Sequence, residues 1–248
     1  MSTEKSDALV IRLADFSESS RVATLFTREF GKISCLAKGA KRLKSAFEAA
    51  LDLLSECRVV FIHKASTSLD LLTEAQLIRR FQPSPRSLNH LYGGYYIAEL
   101  INALTEEADP HALLYDAATD VVTRLSSESP PQLHILRFEL IALKEIGQLP
   151  DFETCTICHS PIEFSPKARF WVSQSGLICS ECGRPEYQST EIHPGSIALI
   201  RKLAATPNSL MDRVAASPQQ IKEMRQIVTS AMCHVLGKRP KTLGMLNF

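Results

Sequence analysis

Two cysteine pairs, Cys155-Thr156-Ile157-Cys158 and Cys179-Ser180-Glu181-Cys182, restrict this chain more than any other feature. Twenty residues separate them, so the pattern C-x2-C-x20-C-x2-C lies close to that of a four-thiolate zinc site. Two intervening residues allow a tight knuckle that aims both sulfurs at one ion. A hairpin must then return the second knuckle to complete a tetrahedron. His159-Ser160-Pro161 and Gly183-Arg184-Pro185, just beyond the pairs, are suited to such turns. The competing readings are a disulfide or redox pair, and thiols unrelated to one another. A thioredoxin-type site needs one CxxC in a βαβ setting, and neither pair has that setting. Four cysteines close the coordination sphere and leave no position for an activated water, so a zinc ion here is expected to be structural. His159 is an alternative ligand, read more simply as an exposed knuckle residue. The zinc-deaminase pattern is absent, since the chain has no His-x-Glu and neither CxxC follows a proline.

The 248 residues are enough for one large or two ordinary domains, and a 45% hydrophobic content can fill a core. The first residues are polar, and the apolar run after them is broken by Arg12 and Asp15, so no signal peptide is expected. No stretch of about 18 apolar residues occurs, and no membrane span is expected. Metal-type cysteine spacing points to a reducing cytoplasm. Cys35, Cys57 and Cys233 fall on apolar faces and read as small core residues. The net charge of +1 is unevenly spread: +3 over residues 1–80, −5 over 81–150 and +3 over 151–248. A polyanion would meet the two ends of the chain and not its middle.

The fold class expected is α+β, with a barrel at 1–80 and a helical domain at 81–248 carrying a zinc module at 152–190. Leu9 to Ala14, Val22 to Phe26, Ile33 to Ala37, Cys57 to Lys64 and Leu69 to Gln76 alternate as short strands. Five short strands, several of them half-polar, must each bury one face, and a small closed barrel of OB type does this without leaving long edges. From Pro83 the period becomes helical. Leu91, Tyr95, Ala98, Ile101 and Leu104 form one stripe, and Asp109-Pro110 restarts a second helix to about Leu125. Leu133 to Ile146 is apolar on most of its circumference and belongs at the centre of a bundle. Ile192 to Ala205 follows the module. The last helix has Ser217 as N-cap, Pro218 at its first position, Gln220 as capping-box partner and Gly237 as its stop.

The densest basic run is Lys38-Gly39-Ala40-Lys41-Arg42-Leu43-Lys44-Ser45, at the end of the third strand. Its cations could grip phosphates, with Gly39 allowing close backbone approach. It could equally be a solvated charge run. The order of a Walker A loop is absent. Arg12 and Arg21 interrupt apolar strands and are expected to point outward over the barrel face where nucleic acid commonly lies. Arg201, Lys202, Lys222 and Arg225 read as solvated helix faces, and Lys238, Arg239 and Lys241 can serve the dipole of the last helix. No G-x-S-x-G, H-E-x-x-H or dinucleotide G-x-G-x-x-G occurs.

A barrel, a bundle and a late four-cysteine hairpin together resemble the bacterial RecO family of recombination mediators. The resemblance covers essentially the whole chain. It is carried by Ala8-Leu9-Val10-Ile11-Arg12, Glu18-Ser19-Ser20-Arg21-Val22, Gly31-Lys32-Ile33 and above all Ala37-Lys38-Gly39-Ala40-Lys41-Arg42 with Lys44-Ser45. Tyr96 to Leu100 and Arg137-Phe138-Glu139-Leu140, leading into Gly147-Gln148-Leu149-Pro150, continue it. The tail departs: Lys241-Thr242-Leu243 stands where relatives often have a Lys-Ser turn. The resemblance implies binding of single- and double-stranded DNA, strand annealing, pairing with RecR, and help to RecA in replacing single-strand DNA-binding protein. It also implies that the zinc is structural and the protein not an enzyme, cytoplasmic and associated with the nucleoid. Arg12, Arg21, Lys38, Lys41, Arg42 and Lys44 match the family's basic barrel surface and are the expected DNA contacts. Arg137 beside Phe138 is a candidate for the acidic, hydrophobic tail of single-strand DNA-binding protein, the alternative being a core-edge arginine paired to a carboxylate. Two rival functions stay open at this point: a nucleic-acid-modifying enzyme braced by a zinc ribbon, and an interaction scaffold that does not bind DNA.

Overall fold

The computed structural model describes the chain except residues 1, 43, 44, 46, 48, 49, 64–68, 163–168, 206–210, 212 and 248. It separates into two compact units, Met1–Ser129 and Pro130–Phe248.

Five strands open the first unit: β1 (Ser2–Asp15), β2 (Arg21–Thr27), β3 (Gly31–Ala37), β4 (Glu56–His63) and β5 (Asp70–Arg79). They close into a barrel in the order β1-β2-β3-β5-β4, with only the β3/β5 contact parallel. This is the expected OB-type closure. At 14 residues, β1 is long enough to pair with β4 along its first half and β2 along its second, and so removes both free edges. A bulge between Val10 and Arg12 lets the strand turn from one partner to the other. Alternation puts Ala8, Val10, Ala23, Leu25, Cys35, Cys57, Val59 and Phe61 into the barrel core. Burial drives the Cys57 thiol up to about 12 and raises that of Cys35 as well, so both are inert packing groups.

Two helices, α1 (Leu88–Leu104) and α2 (Ala112–Arg124), complete this unit. Ser87 caps α1 by accepting from the Asn89 N–H. The buried face of α1 is rotated from the expected stripe: Tyr96, Ile97, Leu100 and Ile101 are buried, while Tyr95 is exposed. Gly94 permits this face to turn inward: a Cβ there would come within 2.7 Å of Leu54 and Phe81, so the glycine lets the helix lie close.

The boundary read near residue 80 marks the change of period. The compact unit runs on to Ser129 because barrel groups are tied to the helices. Arg28 makes a two-pronged ion pair with Asp116, at 2.9 and 3.1 Å. The Lys32 ammonium donates to the Asn102 and Thr105 carbonyls, and Ser34 donates to Glu107 at 2.8 Å. Gly31, at φ +68°, faces the Asp109 carbonyl so closely that a Cβ would lie 2.1 Å from its oxygen.

The second unit holds α3 (Gln132–Glu145), a small sheet of β6 (Arg169–Trp171), β7 (Gly176–Ile178) and β8 (Ser189–Glu191), then α4 (Pro194–Ala205) and α5 (Pro218–Leu236). Leu136 and Leu140 of α3, Ile197, Ile200 and Leu203 of α4, and Met224, Ile227 and Val228 of α5 make one core. The caps of α5 are as read: Ser217 and Gln220 form the reciprocal capping box, and Gly237 closes the helix at φ +64°. Arg225 is a correction. It is buried and paired with the fully buried Glu139 of α3, not solvated. Arg201 likewise turns inward, donating to the Phe152 carbonyl. Among the described residues no helix is long and apolar enough to cross a membrane.

Candidate nucleic-acid interface and metal centre

The cysteine pairs sit on two backbone knuckles. In the first, the His159 N–H donates to the Cys155 carbonyl at 2.8 Å and the Cys155 N–H to the Ser160 carbonyl at 2.9 Å. In the second, the Gly183 N–H donates to the Cys179 carbonyl at 3.1 Å. The β6–β7 hairpin brings them together, and the Thr156 N–H bonds the Leu177 carbonyl of β7. Gly176 permits this approach, since a Cβ there would lie 2.1 Å from the Thr156 hydroxyl. The sheet has a third strand, β8, that the sequence did not announce. Trp171 stacks on Tyr187 at 4.3 Å across it.

The Sγ atoms of Cys155, Cys158, Cys179 and Cys182 all lie within 4.8 Å of one another. Tetrahedral coordination at about 2.3 Å places sulfurs about 3.8 Å apart, and the Cys158–Cys179 separation is 3.8 Å. That is far too long for a disulfide. The four groups therefore fit one divalent ion. Their acidities are spread: Ser160 hydrogen bonds lower the Cys158 thiol to about 6, whereas hydrogen bonding with Cys179 and Cys158 pushes Cys182 up to about 12. Four adjacent thiolates repel, and a cation is what lets all four lose their protons. His159 is exposed at φ +58° and stands outside the sulfur cluster.

The second site lies at one mouth of the barrel. Lys38, Lys41 and Arg42 are exposed on the turn after β3, where Gly39 adopts φ +74°. This turn is stitched to the β1–β2 turn. The Lys41 N–H donates to the Ser19 carbonyl at 3.0 Å, and the Gly39 N–H to the Ser20 hydroxyl at 3.3 Å. Arg12 is exposed on the outer face of β1 opposite Thr24, as expected. Arg21 is placed differently. It shares the parity of Ala23 and Leu25, which point into the barrel, so it stands at the rim. Lys44 falls outside the described residues.

Sequence reading missed Asp15. Its carboxylate accepts from Arg21 Nε at 3.2 Å and from Lys41 Nζ at 3.0 Å. The Lys41 hydrogen bond is the main cause that holds the Asp15 carboxyl below the usual carboxylate range. Only register, with Asp15 opposite Arg21, could have revealed this. Arg137 and Phe138, expected to offer a tail-binding pocket, are both buried in α3, with 8% and 1% exposure. They present no exposed docking surface.

Comparison with known proteins agrees with this architecture. The family described as Recombination protein O N terminal matches residues 1–81, and Recombination protein O C terminal matches residues 85–244. The chain belongs to the RecO family. It is 38% identical over 217 residues to the DNA repair protein RecO of Rhodopirellula baltica, covering 86% of this chain and 80% of that protein. The RecO of Myxococcus xanthus is 28% identical over 240 residues, 97% of this chain and 95% of its own length. That of Listeria monocytogenes is 28% identical over 198 residues, 80% and 76% respectively. The RecO family division at 81/85 follows the change from strands to helices, while the compact units divide at 129/130.

Proposed function

We propose that this RecO-family chain is a non-enzymatic recombination mediator that gathers DNA on the cation-bearing mouth of its barrel and anneals complementary strands. The observation that carries the reading is the pair of stitched turns. Hydrogen bonds join the turn bearing Lys38, Lys41 and Arg42 to the β1–β2 turn, and Asp15 ties Lys41 to Arg21, at one end of a closed barrel whose outer face carries Arg12. Lys44, outside the described residues, is kept as a proposed contact on the sequence run alone. Cations placed against two phosphate backbones reduce their repulsion and release counterions, and base pairing then drives annealing without hydrolysis. Phosphate contacts position DNA without reading its bases, so binding is indifferent to sequence.

On this reading the ion held by Cys155, Cys158, Cys179 and Cys182 is zinc. Its role is to fasten the knuckles of the second unit, since four protein thiolates leave no open position for chemistry. The protein acts in the cytoplasm at the nucleoid. RecR is the partner on DNA, the tail of single-strand DNA-binding protein recruits the chain, and RecA is loaded as the outcome. The test is annealing of complementary strands coated with single-strand DNA-binding protein, without nucleotide. The intact chain should accelerate annealing, and K41E/R42E should abolish most of the acceleration for every sequence tried. Equal rates for both proteins would remove the barrel mouth from the mechanism.

A further inference from the structure

Phe16 is 59% exposed, at the end of β1 where the polar turn Ser17-Glu18-Ser19 begins. Its backbone is fixed: the Phe16 N–H donates to the Ser20 carbonyl at 3.0 Å. Ser20 in turn receives the Gly39 N–H, Ser19 receives the Lys41 N–H, and the Lys41 ammonium reaches the Ser17 carbonyl at 3.4 Å. The ring is thus carried on the same hydrogen-bonded platform as Lys38, Lys41 and Arg42. Other barrel phenylalanines are used in packing. Phe26 and Phe61 are buried, and Phe30 meets Phe61 edge-on at 5.5 Å.

A lone exposed apolar side chain is ordinary on a protein surface. What distinguishes Phe16 is the turn it leads into, which is hydrogen-bonded to the turn that bears Lys38, Lys41 and Arg42. Arg12 and Ala14 alternate onto the outer face of β1, and Phe16 is the next residue in that alternation, about 13 Å along from Arg12. Asp15 and Glu18 are the carboxylates nearby, and Asp15 is neutralised by Arg21 and Lys41. A strand whose phosphates engage the turn after β3 would pass the β1–β2 turn that hydrogen bonds join to it. An unpaired base has a π-face to offer, whereas in a duplex that face is occupied by its neighbours.

We propose that Phe16 is a stacking post for an unpaired nucleobase, and that it gives the barrel mouth a preference for single strands over duplex. The assignment rests on the DNA-binding reading above. The experiment uses the full-length, zinc-loaded chain with an oligo(dT) strand and a blunt duplex of matched length. F16A should weaken single-strand binding about tenfold, within the range of one lost base–aromatic stack, and change duplex binding by less than about twofold. F16W should keep wild-type affinity, and its added indole should be quenched by the strand but not by the duplex. The native Trp171, stacked on Tyr187, supplies the control signal. Failure of the wild type to bind either oligonucleotide in dilute buffer would overturn the DNA reading and this one with it. Wild-type binding with unchanged F16A affinity, or with equal losses on strand and duplex, would overturn the stacking assignment alone.

Discussion

Replacing Asp15 by asparagine removes a negative charge from the centre of the cation cluster while keeping a group of the same size. Asp15 lies 3.0 Å from Lys41 Nζ and 3.2 Å from Arg21 Nε. A phosphate oxygen bound to Lys41 on its far side would sit about 6 Å from the carboxylate. Repulsion of unit charges at that distance in water corresponds to about a threefold loss of affinity. D15N should therefore bind DNA about threefold more tightly in dilute buffer, a gain that shrinks as salt shortens the screening length to about 8 Å. The surface also gains one net positive charge. The plot of log affinity against log salt should steepen by about 0.7 for single strands and about 0.9 for duplex. Fluorescence anisotropy across a salt series measures both quantities. Weaker binding by D15N, or an identical salt slope, would refute the view that Asp15 is an internal competitor of phosphate. It would show that the carboxylate serves to aim Lys41 and Arg21.

Metal analysis should find about one zinc per chain, and C155S should lose the ion together with the cooperative melting of the second unit. Because binding replaces thiol protons, zinc affinity should fall as pH is lowered. Competition should sharpen as pH falls through the Cys158 value of about 6, where this sulfur also takes up a proton, and a chromophoric chelator should then capture the ion progressively faster. The Glu139–Arg225 pair predicts a different pattern. E139L strands a buried guanidinium and should cost about 3–5 kcal/mol in urea unfolding, R225M should cost about as much, and the double variant should recover most of the loss. A cost under about 1 kcal/mol for either single variant would show that water reaches the pair.

The elements that announced themselves were those whose signals are local. Ser217, Pro218, Gln220 and Gly237 state both ends of α5 within the chain segment that forms it. The cysteine pairs likewise carry their own geometry, because each knuckle closes over a few residues. Barrel strands were legible through alternation, and a closed barrel follows once five such faces must be buried. What escaped depends on distant partners. Arg28 and Asp116 are 88 residues apart, and Arg225 and Glu139 are 86 apart. Nothing near Arg225 distinguishes it from a solvated helix residue such as Lys222. The rotation of α1 escaped because hydropathy cannot see that Gly94 must meet Leu54 and Phe81 without a Cβ. Phe16 and Asp15 escaped for a related reason, since their roles exist only when the β1–β2 turn lies against the turn after β3.

An annealing surface faces a constraint that a storage surface does not, because it must let go of the duplex it produces. The proposed arrangement meets this constraint without a nucleotide. The Asp15 ion pairs are exposed, with side-chain exposures of 62% for Asp15, 38% for Arg21 and 28% for Lys41. Such pairs are weak and exchange readily with phosphate. Charge alone would favour the duplex, whose phosphates are denser, so a surface built only of cations would be inhibited by its product. A stack on Phe16 works in the opposite direction, since it is available only while a base is unpaired. Pairing of two strands removes that contact at the moment the product forms. In the proposed mechanism the cations supply the encounter, the ring supplies the preference for substrate, and Asp15 keeps the grip loose enough for release.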